Sequence, residues 1–144
     1  MATGKKIVWR KALSVLALFF VLPGCGGREL PELAYVSGTV NMDGQPLPGV
    51  QVHFHPIDEE GFGLSRASVG KTDSEGNYVL HWNEGIEGAH LGINKVAIMT
   101  HWPNGEPGEG EYEKIPPRYY GKRTTLQETV VEGDNTFNFD LTSQ

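Results

Sequence analysis

From residue 35 onward, apolar and polar side chains alternate with a period of two, and no window carries the stripe of an amphipathic helix. The pattern predicts a strand over Tyr35–Asn41, with Val36 and Val40 on one face and Gly38 between them, where a neighbouring backbone can come close. Val50–His55 alternates most plainly, with Val50, Val52 and Phe54 on one face and Gln51, His53 and His55 on the other. Further strands are expected at Arg66–Lys71 with Ala67 and Val69 inward, at Tyr78–Trp82, at Ile93–Thr100, at Leu126–Val131, and at Thr136–Leu141 with Phe137, Phe139 and Leu141 inward. Met42-Asp43-Gly44-Gln45 has the chemistry of a tight turn, and in Thr72-Asp73-Ser74-Glu75-Gly76-Asn77 the Asp73 carboxylate can accept from the backbone of the bend. Short strands with regular glycine and proline punctuation predict an all-β, seven-stranded β-sandwich.

The alternation fails between Thr100 and Leu126. Pro103, Gly105, Pro107, Gly108 and Gly110 do not suit a ladder, and the connection is longer than a compact domain usually carries. Glu106, Glu109, Glu111 and Glu113 precede Lys114, Arg118, Lys122 and Arg123, so the plain expectation is a solvated loop whose halves pair loosely. Trp102, Tyr119 and Tyr120 make the same segment the candidate for ligand contact.

The N-terminal stretch follows a different rule. Lys5, Lys6, Arg10 and Lys11 precede the apolar run Ala12–Leu22, which is shorter than the roughly 20 residues a spanning helix needs and is expected to be a cleaved leader. Leu22-Pro23-Gly24-Cys25 contains the only cysteine, so no internal disulfide is available and burial alone must hold the fold. These four residues resemble the lipobox of bacterial lipoproteins, although proline is unusual at its position. The resemblance implies cleavage before Cys25 and a lipid on its thiol. A plain leader with a cysteine near the cut is the competing reading. The expected organisation is a leader at 1–24, a lipidated N-terminus and tether at 25–34, and one domain at 35–144. Eight of the twelve basic residues and all eighteen acidic ones follow the leader, a formal net charge of −10. That balance disfavours nucleic acid and anionic headgroups, which repel it over a Debye length of roughly 10 Å.

Val36-Ser37-Gly38-Thr39-Val40, then Asp43-Gly44-Gln45-Pro46-Leu47-Pro48-Gly49-Val50, then Thr72–Tyr78 together resemble the carboxypeptidase regulatory-like domain. The resemblance implies a transthyretin-like Greek key of seven strands in two sheets. With the lone cysteine, Ile115-Pro116-Pro117-Arg118-Tyr119 and Asp134–Leu141 also resemble small lipoproteins of this group, most of which have no assigned biochemical role.

Candidate chemistry narrows the picture further. The chain has no G-x-S-x-G, no H-E-x-x-H and no phosphate-cradling glycine loop, so no enzyme and no cofactor are expected. His53 and His55 share a strand face, the spacing that would let two imidazoles hold one metal, but a solvent-facing pair and no metal are expected. The functional expectation is a lipid-anchored, non-catalytic module of a bacterial cell envelope, exported to the periplasm or cell surface, that binds a protein or serves a structural role. The alternative is a carbohydrate-binding module.

Overall fold

The computed structural model describes residues 1, 4, 31–61, 63 and 65–144, and gathers the expected apolar positions between two sheets. Cys25 and the apolar run before it lie outside the described residues. The strands are β1 (Leu33–Met42), β2 (Gln45–Pro46), β3 (Val50–Pro56), β4 (Ser68–Lys71), β5 (Asn77–Val79) and β6 (His81–Asn83). They continue with β7 (Ile86–Glu87), β8 (Ala89–His90), β9 (Gly92–Thr100), β10 (Gln127–Val130), β11 (Asp134–Thr136) and β12 (Phe139–Leu141). Strand forms within each of the seven expected stretches, but two of them are divided and three short strands are added, so the described residues form twelve strand segments and not seven.

One sheet is built on β1, which pairs in parallel with β11 and β12 and antiparallel with β2, β5 and β8. The other runs β10-β9-β3-β4-β6-β7 and is antiparallel throughout. Val52 pairs with Ile98 and Phe54 with Val96 on the inner face. All four are buried, and a slip of one residue would turn them out to water. Phe54 meets Phe137 at 5.7 Å and Phe139 at 6.4 Å between ring centroids, which joins the two sheets through aromatic contact. The turn expected at Asp43-Gly44 forms, with both residues at positive φ. In the second turn Asp73 Oδ1 accepts from Glu75 N and Asn77 N, each at 2.9 Å.

The phase expected for Arg66–Lys71 is corrected. Ser68 and Gly70 are buried, while Ala67 and Val69 are half-buried. The reason is register: β4 pairs Phe54 with Ser68 and Val52 with Gly70, and directly opposed residues share a face. A Cβ on Gly70 would lie 2.4 Å from the Val79 carbonyl oxygen, so this inner face admits only a small residue. Alternation alone favours the larger Ala67 and Val69 and misses the close crossing of β5. Phe137, expected inward, is half-buried against the core.

The outer face of the second sheet carries His53 and His55, whose rings stack at 5.8 Å between centroids. His53 is not freely solvated as expected: burial, with His55 beside it, pushes its pKa down to about 4. A histidine depressed below its unfolded value near 6.5 stabilises the fold above that value, and the contribution fades as pH falls from about 6.5 to about 4. Stability should therefore drop by about 2 kcal/mol between pH 7 and pH 4 through this group, after allowance for its partial exposure. Urea unfolding of the native chain and of His53→Gln across that range checks it. Equal slopes in the two proteins would show that His53 does not titrate out of the fold.

Candidate functional site

β10 pairs with β9 only from Gly92 to Lys95, so the rest of that edge of β9 needs other partners. The connection from His101 to Leu126 supplies them. Leu126 O accepts from Val96 N at 2.9 Å, and the buried Thr124 hydroxyl donates to Val96 O at 2.6 Å. At the far end of the strand the Glu113 carboxylate accepts from Thr100 N at 3.0 Å, from the Thr100 hydroxyl at 2.6 Å and from Ile115 N at 2.9 Å. Ile115 is buried in the core beside it. One acidic side chain thus takes the place of a missing strand, with charge-assisted bonds that are stronger than neutral ones.

The second anchor is Arg118, in a short 3-10 turn at Pro117–Tyr119. Its guanidinium donates to Thr142 O at 2.5 Å, to the Thr142 hydroxyl at 2.7 Å and to Gln144 O, and stacks 4.8 Å above the Tyr119 ring. The Tyr119 hydroxyl accepts from Thr142 N at 3.1 Å, and its bond with the Thr142 side chain is the first cause lowering the Tyr119 pKa. The loop is therefore fixed to both sheets. The expected loose pairing between its acidic and basic halves is corrected: among the described residues no ion pair joins them, because Glu113 and Arg118 bind backbone instead.

These anchors separate the three aromatic candidates. Tyr119 and Tyr120 are partly buried and pack against the core. Trp102 instead lines a groove of about 400 Å³, between Thr100–Pro103 on one wall and Gly110, Glu111, Tyr112 and Lys114 on the other. The aromatic that joins Trp102 is Tyr112, which sequence reading passed over and which is 69% exposed. Its neighbourhood of glycines and glutamates reads as solvated loop, and the fold-back that Glu113 anchors brings it into the groove that Trp102 lines. Two tight turns shape the walls, closed by Gly105 N to Trp102 O and by Glu111 N to Gly108 O, each at 2.9 Å. His101 Nδ1 is buried in this wall without a hydrogen-bond partner among the described residues. The groove is therefore lined by two aromatic residues together with an acidic and a basic one, Glu111 and Lys114.

Among the described residues no three His, Cys, Asp or Glu side chains converge as metal ligands. His53 Nε2 donates instead to Gln51 Oε1 at 3.3 Å.

No family model matches this chain, and no curated protein matches it. Among solved structures it is similar to that of a DUF3823 family protein from Parabacteroides merdae, at 14% identity and a TM-score of 0.39. The similarity covers 76% of this chain and 46% of that protein, so the chain spans under half of its length.

Proposed function

We propose that the chain is a lipid-anchored, non-catalytic binding module of a bacterial cell envelope, tethered through Cys25, whose 101–126 loop is its recognition surface. Support for a tether comes from the basic and apolar leader and its lone cysteine. The order β10-β9-β3-β4 supports the transthyretin-like Greek key that the sequence motifs imply. What carries the binding role is the pinning of the loop: Glu113 and Arg118 hold it in one shape before any ligand arrives, which reduces the ordering that binding would otherwise require.

Of the two ligand classes, the groove fits a saccharide better than a protein face. Trp102 and Tyr112 line one polar cleft, whereas Tyr35 and Val131, the other exposed large hydrophobic residues among the described residues of the domain, lie outside it, with their carbonyls joined by the Asn135 side chain. Protein contact is the second reading, for which Tyr35 and Val131 offer only two exposed side chains. On a glycan array, the native chain is expected to give a saturable signal that Trp102→Ala weakens at least about tenfold, the loss of one stacking contact of about 1.5 kcal/mol. A native chain that binds no glycan but captures an envelope protein would favour the second reading.

A further inference from the structure

A second concave site lies on the outer face of the β3–β9 pair, under the 3-10 turn at Gly121–Arg123. It holds about 290 Å³. Ala97 and Met99 form its floor, and His55, Lys95, Gly121 and Lys122 its walls. Ala97 is buried although it points away from the core, which shows how far the turn closes over the sheet. Among the described residues no carboxylate lines this pocket, in a domain whose formal charge is −10. Lys95 Nζ reaches one protein acceptor, Lys122 O, at 3.5 Å, and an ammonium has three protons to donate. Two lysines and a histidine thus line one pocket, and among the described residues none of the three is in an ion pair.

We propose that this pocket is an oxyanion site, taking a phosphate group through Lys95 and Lys122 with His55 as a further donor. Lysine suits this role as a point charge at a phosphate. Burial and the nearby Lys95 lower the His55 pKa, so its ring is a neutral hydrogen-bonding group at neutral pH. The net negative charge of the domain opposes an anion over a Debye length of roughly 10 Å, so the lysines at the pocket must outweigh that repulsion locally. The phosphate can be free or part of a lipid headgroup. The second source draws on the tether reading. Leu91 N donates to Glu32 O at 3.1 Å, so the chain leaves the tether beside the start of β9, four positions from Lys95.

The test follows backbone amide resonances of the full chain in uncharged detergent as inorganic phosphate or, separately, a short-chain phosphatidylglycerol is added. Saturating shifts are expected at Lys95, Gly121 and Lys122. Lys95→Gln combined with Lys122→Gln should weaken binding at least tenfold. Lys71→Gln, on the same sheet face but opposite Gln51 at its other end, should leave it unchanged. Saturation by both probes identifies a site for free oxyanion; saturation by the phospholipid alone identifies a headgroup site. No saturation with either probe, or saturation indifferent to the double substitution, overturns the proposal. If the double variant loses the dispersed resonances of Val52 and Ile98, Lys122→Gln alone, at an exposed side chain, carries the same comparison.

Discussion

Replacing Gly38 with alanine is expected to lower the stability of the domain by more than about 3 kcal/mol, a large share of the roughly 5–15 kcal/mol that holds a typical domain together. A Cβ at this position would lie 1.8 Å from the Phe137 carbonyl oxygen and 2.7 Å from its carbon. Neither atom is the free end of a side chain. Phe137 N donates to Ser37 O at 3.0 Å, and the Tyr78 hydroxyl donates to Phe137 O at 2.7 Å, so the obstructing carbonyl is held from two sides. The Asn138 side chain accepts from Thr39 N at 3.0 Å and bridges the gap between β11 and β12. Relief would have to part β1 from both strands, which are parallel neighbours along its length. Urea denaturation followed by tryptophan fluorescence measures the loss. Gly63→Ala, where an added Cβ meets nothing within 4 Å, should shift the midpoint little. An unchanged midpoint for Gly38→Ala would contradict the close crossing.

Substituting Glu113 with alanine should release the recognition loop while leaving the two sheets folded. The substitution deletes the acceptor for Thr100 N, the Thr100 hydroxyl and Ile115 N together. Hydrogen bonds to a charged group contribute about 1.5–3 kcal/mol each, and the bonds here share one carboxylate, so about 3 kcal/mol of local stability is expected to go. That corresponds to roughly 100-fold faster hydrogen exchange at the Thr100 and Ile115 amides. Exchange at Val52 and Phe54, within the β3–β9 ladder, should change far less. Glu113→Gln keeps one acceptor oxygen without the charge and should fall between the two. Because Trp102 and Tyr112 line one groove in a loop that this carboxylate folds back, Glu113→Ala should also lose any ligand that Trp102→Ala loses. Exchange at Thr100 as slow as in the native chain would show that the loop is held by something else.

Much of this architecture was legible along the chain. The alternation of Val50, Val52 and Phe54 fixed an inner face, and the positive-φ chemistry of Asp43-Gly44 and Gly76 fixed two turns, because these are local rules with a period of two or a span of four residues. Gly38 could be marked as a place of close approach by the absence of a side chain in a strand otherwise rich in valine. The phase of Ser68–Lys71 could not be read this way. It depends on which residue of β3 stands opposite and on the backbone of β5 passing over Gly70, and both are facts about neighbours distant in sequence.

The same division holds for the candidate sites. By its own composition the chain determined that residues 100–126 leave the ladder and carry aromatic side chains, since prolines and glycines forbid a continuous strand whatever surrounds them. It also placed Lys95, His55 and Lys122 too far apart in sequence to suggest a common pocket. Only the tertiary structure decided that Tyr119 and Tyr120 turn to the core, that Tyr112 and Trp102 line one groove, and that Lys95, His55 and Lys122 line one pocket with Ala97. The physical reason is the unfinished edge of β9. Its unpaired amides and carbonyls draw the loop back along the strand, and that demand exists only once β3, β9 and β10 have assembled into a sheet.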